Sequence, residues 1–488
     1  MNIVSHFINK ISEKNLEVHS CLIYYQKQLV YESYSQPYHQ NQAVMMYSVS
    51  KTFVSLAIGY LIEEGKLTLK TRVKEYFEDL EGITINKKLT IEHLLTMLSG
   101  THHEQMIMFS DDWIKQYFSQ PFYYLPGTHF HYNSMNSYIL SVIITKITHL
   151  KLVDYLDLHL FQPLNIPKPK WDEDALGYNI GGWGLYLTSR DLMKVSVALL
   201  EYHPTLPLNY LHEMVLNHAQ SFSKNKCHYY QKGYGYHCWL NGEQLGYRMD
   251  GVFGQFAIIV PSLDLVVITT ANVILSHLLL ECIFNDFILL LPNNPVQPTH
   301  LQLKNSYDNL PSIQFEHTDY HMYYQFKNNG CSILPLAIMF LKHMSLSHAN
   351  GFSFEFFERF LYLNWYEGQM VQRIYVSLTQ SFKMSKIKIQ DHCYDIMAFG
   401  YFKKSQLNVT ILFLEFPHTR FLQFDFLTPK KIVVKFNETP SVNDLLEHYH
   451  YLLTFTPFSS LNNWVVEQAY HLINPTSVAF RQKKKGSH

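Results

Sequence analysis

The sequence lacks an excess of charge of either sign. Lys and Arg total 39 against 40 Asp and Glu, the net charge is −1, and charged residues make up only 16% of the chain. Proteins that hold nucleic acid or an anionic membrane surface electrostatically carry a basic patch or a basic overall balance. The composition therefore gives no reason to expect either partner.

Sequence motifs for metals, phosphates and disulfides are missing too. The 27 histidines form no HExxH pair and no zinc-type Cys/His spacing, and no Gly-rich phosphate loop follows a strand. The six cysteines are scattered without a CxxC, so we expect reduced and mostly buried thiols. We predict neither a metal site nor a cofactor.

No stretch of the chain has the pattern of a secretory leader or a membrane span. Residues 1–20 have no apolar run behind a basic start. The most apolar later run, 273–291, is interrupted by His277, Glu281, Asn285 and Asp286. We expect a cytoplasmic protein, or an extracellular one if a leader has been removed. The sequence does not indicate its oligomeric state.

What the chain does have is length, apolar mass and a change of pattern along it. Its 488 residues, 47% of them hydrophobic, exceed one core and indicate two or three domains. The segment Pro292-Asn-Asn-Pro-Val-Gln-Pro298 is typical of a linker because it has three prolines in seven residues. We predict a first domain over 1–291, a linker over 292–299 and a β-rich second domain over 300–485. Residues 486–488 have the composition of a tag remnant and are left out.

Short apolar runs predict strands in both domains. In the first domain they cover Tyr234–Leu240, Gln244–Met249, Gln255–Val260 and Leu265–Ala271. In the second, successive runs recur about every dozen residues, a spacing that suits an antiparallel sheet or small barrel. These runs are Arg373–Leu378, Lys386–Gln390, Asp395–Phe402, Asn408–Glu415, Arg420–Phe426 and Lys431–Phe436.

A Ser-x-x-Lys pattern offers candidate chemistry. It occurs at Ser48/Lys51, Ser221/Lys224 and Ser385/Lys388. On a helix this spacing puts the lysine amine one turn from the serine hydroxyl, where a neutral amine can take the proton while the serine attacks a carbonyl. Only at Ser48 does an apolar helix begin at the motif, and we expect it to end at Gly65. On these residues alone, the start of an ordinary amphipathic helix remains the alternative.

Catalysis by Lys51 requires a lowered pKa. A free lysine has a pKa of about 10.4, and lowering it by roughly three units costs about 4 kcal/mol. Burial among apolar neighbours such as Met46, Phe53 and Val54 is one way to achieve the shift.

Further segments, in sequence order, resemble the serine β-lactamase and D-alanyl-D-alanine peptidase superfamily. The likeness is to the branch of class C β-lactamases, family VIII carboxylesterases and D-aminopeptidases, and it covers roughly residues 1–290. The matching stretches are Tyr47-Ser-Val-Ser-Lys-Thr-Phe53, Gly65-Lys-Leu-Thr-Leu69, Leu89-Thr-Ile-Glu-His-Leu-Leu-Thr-Met-Leu-Ser-Gly100, Pro126-Gly-Thr-His-Phe-His-Tyr-Asn-Ser134, Gly182-Trp-Gly-Leu-Tyr-Leu-Thr-Ser-Arg-Asp-Leu192, and Asp250-Gly-Val-Phe-Gly-Gln255 with Val260-Pro-Ser-Leu-Asp-Leu-Val266.

The resemblance implies a mixed α/β (α+β) fold of three layers. Residues 1 to about 65 and 180–290 would form an antiparallel sheet flanked by helices, and about 66–180 a mostly helical subdomain, with the site at their junction. For the β-rich domain, the analogy is to the lipocalin-like barrels that related hydrolases carry.

The resemblance also assigns a second motif. Tyr132 would share a proton with Lys51 and pass it to the leaving group. Family members place Asn two residues after this Tyr, to hold the lysine and the substrate amide. Here that position is Ser134, which can still form hydrogen bonds but reaches less far. A shift of one residue that brings in Asn133 is the alternative.

The third motif departs most from the family. Its Lys-Thr-Gly aligns with Met249, Asp250 and Gly251, so the cation that holds a substrate carboxylate is absent. Losing that contact forfeits about 1.5–3 kcal/mol. Arg248 and Asp250 are expected on the opposite strand face. Gly251 would allow close approach, and the Val252 N–H is the expected second oxyanion donor.

These features predict acyl-serine hydrolysis of a small ester or amide, with Ser48, Lys51 and Tyr132 as catalytic residues. One alternative is a D-amino-acid-specific peptidase or penicillin-binding carboxypeptidase. In the D-amino-acid case an acid such as Asp250 or Glu104 would hold the substrate amine. The other alternative is a degenerate member that binds a cell-wall or peptide ligand without turnover.

Overall fold

The computed structural model describes residues 2–101, 110–221, 227–304, 322–342, 344, 347–379, 382–441, 444 and 476–482. The described chain forms two compact units, one up to Leu303 and the other from Lys304 onward. The predicted mixed architecture, a sheet with helices followed by a β-rich domain, is confirmed.

The first unit is built on a sheet of six antiparallel strands in the order β2-β1-β8-β7-β6-β5. A separate short pair, β3 and β4, lies beside the nucleophile segment. The strands are β1 Val18–Tyr25, β2 Gln28–Tyr34, β3 Val44–Met45, β4 Tyr186–Leu187, β5 Trp239–Leu240, β6 Tyr247–Gly251, β7 Gln255–Val260 and β8 Leu265–Ala271.

Helices cover both faces of this sheet. They are α1 Ile3–Glu13, α2 Ser50–Glu63, α3 Ile91–Leu95, α4 Trp113–Ser119, α5 Ser134–Thr148, α6 Leu152–Leu156, α7 Ser189–Leu200, α8 Leu208–Met214 and α9 Ser276–Asp286. On one face α1 and α9 bury an apolar core, with Phe7 stacked on Phe287. On the other face α7 packs against the sheet, and the Ser20 and Ser189 hydroxyls lie 2.6 Å apart.

Three details of the first unit differ from the sequence predictions. The strand predicted over Gln244–Met249 begins only at Tyr247, after a turn at Gly246, and continues to Gly251. The run Tyr234–Leu240 is a strand only at its last two residues, because His237 has a φ of +54° and the backbone turns there. The linker is partly structured: a 3₁₀ turn covers Ile288–Asn293, and the Pro295 carbonyl accepts a hydrogen bond from the Ile3 N–H.

The second unit is a ten-stranded antiparallel sheet that closes on itself through a short parallel contact between β12 and β14. Its strands are β9 Met322–Cys331, β10 His348–Phe356, β11 Phe360–Glu367, β12 Met370–Ser377, β13 Met384–Ile389, β14 His392–Lys403, β15 Gln406–Phe413, β16 His418–Thr428, β17 Lys431–Thr439 and β18 Ser477–Arg481. A short helix, α10 Leu336–Leu341, follows β9. All six predicted strands of this domain are present. Its likeness to a lipocalin stays a prediction.

Candidate active site

The candidate nucleophile lies on a short 3₁₀ turn, Tyr47–Val49, between β3 and α2. Tyr47 has a φ of +48°, a conformation that costs a bulky residue energy and is kept only where surrounding packing holds it. Its ring packs edge-on against Phe253, with ring centroids 5.4 Å apart. The Met46 N–H also donates to the Leu185 carbonyl at 2.8 Å. The backbone around Ser48 is therefore fixed on two sides.

Lys51 lies in the first turn of α2 and is 1% exposed. Its Nζ lies 2.8 Å from Ser48 Oγ and donates a hydrogen bond to the Gly182 carbonyl at 2.6 Å. Burial lowers the pKa of Lys51 to about 7, and the nearby Asp250 carboxylate offsets part of that effect. At neutral pH a large fraction of the amine is therefore uncharged and able to accept a proton from Ser48.

The Tyr132 ring lies close to the Lys51 amine. Lys51 Nζ is 5.0 Å from the centre of the Tyr132 ring, and Tyr132 is 9% exposed. The ring stacks on Trp239, with centroids 5.5 Å apart and planes 26° apart. Packing thus holds Tyr132 beside the Ser48–Lys51 pair.

Asn133 and Ser134 lie at the start of α5. Asn133 is fully buried and caps this helix: its Oδ1 accepts from the Met135 N–H, and its Nδ2 donates to Thr101 Oγ1. Ser134 begins the helix and abuts Gly182, where a Cβ would lie 2.7 Å from the Ser134 carbonyl oxygen. Which of the two fills the role of the family's Asn stays a prediction.

The third motif lies on β6 and the turn that follows it. Met249 is 1% exposed and pairs with Ala257 of β7, so this position presents no cation. A Cβ on Gly251 would lie 2.5 Å from the Met46 carbonyl oxygen, which shows how closely β6 approaches the nucleophile segment. Val252 follows directly and opens a 3₁₀ turn in which Phe253 has a φ of +67°. The oxyanion role of the Val252 N–H stays a prediction.

Asp250 is engaged by two partners on its own side of the strand. As predicted, Asp250 shares a strand face with Arg248, and Arg248 Nε donates to its Oδ2 at 2.8 Å. Asp250 Oδ1 also accepts from the Tyr230 hydroxyl at 3.3 Å. The charge of Asp250 acts on Lys51 through space and raises the pKa of Lys51. That this strand face is turned away from the site stays a prediction.

His237 borders the site and carries no sequence signal. It is 2% exposed, its Nε2 lies 3.1 Å from Ser137 Oγ, and its carbonyl accepts from Thr52 Oγ1 on α2. Burial first, and then the proximity of Lys51, lower the pKa of His237 to about 3. A neutral imidazole there adds no second positive charge beside the lysine.

The other Ser-x-x-Lys copies are not built as sites. Ser385 and Lys388 lie on strand β13, where a spacing of three puts their side chains on opposite faces. Ser221 bonds to the Tyr230 carbonyl and the Gly233 N–H. Lys224, and the candidate acid Glu104, lie outside the described residues.

The part of the chain that the structure describes has neither a metal-binding cluster nor a membrane-spanning helix. No group of three or more His, Cys, Asp or Glu side chains there is arranged to hold a metal ion. Among the same residues, no helix combines the length and apolar character needed to cross a membrane.

Strand β6 of the antiparallel sheet borders the Ser48–Lys51 pair at the start of α2. This fold and this pair are those of serine hydrolases related to penicillin-recognising enzymes. The β-lactamase family model matches residues 13–273, more than half of the chain. The chain belongs to the β-lactamase family, and the resemblance drawn from its motifs is confirmed.

Individual relatives are distant. A β-lactamase of Yersinia enterocolitica is 24% identical over 196 residues, which are 34% of this chain and 48% of that protein. A 6-aminohexanoate-dimer hydrolase of Paenarthrobacter ureafaciens is 24% identical over 190 residues, 35% of this chain and 48% of that protein. The chain thus spans about half the length of the curated relatives it matches.

One solved structure supports the fold. It is a Bacillus anthracis protein provisionally assigned as a 6-aminohexanoate-dimer hydrolase, with a TM-score of 0.51 and 19% identity. The match covers 59% of this chain and 82% of that protein. At this identity the likeness concerns the fold alone.

Proposed function

We propose that the protein hydrolyses a small ester or amide through an acyl-serine intermediate. The observation that carries the proposal is the buried Lys51 amine, 2.8 Å from Ser48 Oγ and with its pKa lowered to about 7. A base whose pKa lies near the working pH combines a large uncharged fraction with a useful driving force for proton transfer. Two curated relatives are named as a β-lactamase and a 6-aminohexanoate-dimer hydrolase, which supports the reaction class.

In the proposed mechanism Ser48 Oγ attacks the substrate carbonyl while Lys51 takes the hydroxyl proton. The backbone N–H groups of Ser48 and Val252 would stabilise the oxyanion. Tyr132 would carry the proton to the leaving group, and water would then release the acyl group from Ser48 by the reverse route. No cofactor enters these steps.

The third motif favours a substrate without a carboxylate. Met249 stands where the family's cation holds such a group, and the nearby Asp250 charge is balanced by its ion pair with Arg248. The missing cation weakens binding of a β-lactam or a peptide C-terminus. A neutral ester or amide loses nothing by it.

The D-aminopeptidase alternative requires an acid that is available to a substrate amine. Both oxygens of the Asp250 carboxylate are already engaged, one by Arg248 and the other by Tyr230. An amine would have to displace one of these contacts, so the proposal keeps the neutral substrate.

The test is labelling of the full-length protein with a fluorophosphonate probe and, in parallel, with a fluorescent penicillin. Fluorophosphonate labelling should be lost in Ser48→Ala and kept in Ser385→Ala, the matched control from another Ser-x-x-Lys copy. No labelling by either probe would instead support a binding protein, and strong penicillin labelling would refute the charge argument. Turnover of short-chain p-nitrophenyl esters against D-aminoacyl p-nitroanilides then separates esterase from peptidase.

A further inference from the structure

The barrel of the second unit contains a cavity that the proposed hydrolysis does not use. It has a volume of about 430 Å³, is open to solvent on one side, and is lined by residues of β9, β10, β14 and β16 and of the turns that follow β14 and β16. We call it the barrel cavity. Sites for small organic ligands in proteins enclose roughly 300–1,000 Å³, so its size suits such a ligand.

The body of the barrel cavity is aromatic. Phe354 and Phe356 project into it from β10, Phe402 from β14 and Phe426 from β16. The rings pack against one another as a continuous apolar wall, with centroids 6.2 Å apart for Phe354 and Phe426 and 6.1 Å apart for Phe356 and Phe402. Phenyl rings offer water no hydrogen-bond partner, so this part of the cavity favours hydrocarbon over solvent.

The mouth of the cavity is polar and basic. Lys404 and Ser405 line it from the turn between β14 and β15, and Leu427, with 56% of its surface exposed, lines it from β16. The Ser405 carbonyl accepts from the Phe426 N–H at 3.0 Å, so these two lining segments are neighbours in the sheet. Within the described part of the chain, no carboxylate pairs with Lys404. An exposed lysine and an exposed leucine thus border an apolar interior.

We propose that the barrel cavity binds an apolar anion, of which a free fatty acid is the simplest form. The hydrocarbon would lie against the wall of four phenylalanine rings, where much of its surface is removed from water. The carboxylate would remain at the mouth, where Lys404 gives it a charge-assisted hydrogen bond. A cationic amphiphile would meet the same lysine as a repulsive charge.

The experiment is a fluorescence titration of the full-length protein with cis-parinaric acid, after its active-site serine has been blocked with a fluorophosphonate. We expect saturable binding, and about tenfold weaker binding of the methyl ester, which lacks the charge. Lys404→Glu should weaken binding of the acid about tenfold and leave the ester unchanged. Ser405→Trp should abolish binding of both by filling the mouth. Lys327→Glu, at an exposed position on β9 outside the cavity, is the control and should behave as wild type.

Three results would overturn the proposal. One is the absence of a saturable signal from the wild-type protein. Another is binding that survives Ser405→Trp, which would place the probe elsewhere. The third is cosedimentation with vesicles of anionic phospholipid that Ser405→Trp does not weaken, since the basic mouth would then serve a membrane surface. Lys404 and Ser405 are exposed turn residues, and circular dichroism of each variant checks that the barrel is intact.

Discussion

Replacing Lys51 with methionine separates the catalytic effect of a buried lysine from its effect on stability. Burial lowers the pKa of Lys51 from 10.5 to about 7 in the folded protein. Between these two values the unfolded chain binds about one proton more than the folded chain. The free energy of unfolding therefore rises with pH across this window, by about 1.4 kcal/mol per unit, and the burial costs the fold about 5 kcal/mol below pH 7.

Methionine removes that cost because it fills similar space without a charge. It also removes the donor to the Gly182 carbonyl, and leaving that buried acceptor unpaired costs about 1–3 kcal/mol. At pH 7 the Lys51→Met protein should therefore be more stable than wild type by about 2–4 kcal/mol. At pH 9 only about 2 kcal/mol of the burial cost remains, so the two proteins should be nearly equal. Hydrolysis should be abolished at both pH values.

The assay is urea unfolding followed by tryptophan fluorescence, at pH 7 and pH 9, on both proteins. Lys115→Met, which removes an exposed lysine on α4, is the matched control, and its stability relative to wild type should be the same at the two pH values. The reasoning would be refuted if Lys51→Met were no more stable than wild type at pH 7 and the difference in their free energies of unfolding were the same at pH 9. Lys51 would then be charged in the folded protein, and the proposed base would be lost with it.

Two further substitutions test the contacts around the site. Gly251→Ala should lower kcat/KM by at least about a hundredfold with little loss of folded protein, because the new Cβ contacts the Met46 carbonyl and moves β6 away from the nucleophile. Unchanged kinetics would show that the close approach of β6 to Met46 is not needed for catalysis. Asp250→Asn removes the charge that raises the pKa of Lys51, so the acidic limb of the kcat/KM profile should move from near pH 7 to lower pH. The same change leaves buried Arg248 without its partner and should cost about 3–5 kcal/mol in urea unfolding. An unmoved acidic limb would mean that Asp250 does not act on the lysine.

The sequence predicted those parts of the fold that depend on local pattern. The apolar run after Ser48 predicted α2, and Gly65, with a φ of +69°, lies just beyond its end. Alternation of apolar residues predicted β12 to β17, whose hairpins bury one face of each strand. The first barrel strands, β9 to β11, were missed, since their many aromatic residues on both faces obscure the alternation.

The site was predictable only where its residues follow one another in the chain. Ser48 and Lys51 are three residues apart, and the Pro-Gly-x-x-Phe-x-Tyr context singled out Tyr132 among 35 tyrosines. His237 and Trp239 contact the site from a distant segment, and nothing in their neighbourhood distinguishes them from core residues. Their roles depend on how the backbone turns at His237, which tertiary packing decides.

Strand β6 shows what a strand pattern leaves undetermined. A period of two states which residues share a face, and Arg248 and Asp250 do share one. Which face borders the site depends on where the helical subdomain packs, and no alternation within β6 contains that information. The chemical consequence lies at Met249: the strand that gives the family its substrate cation here gives an apolar side chain, and the Asp250 charge beside it is balanced by Arg248. The missing cation acts against anionic substrates and not against neutral ones, and the neutral substrate that we propose follows from this difference.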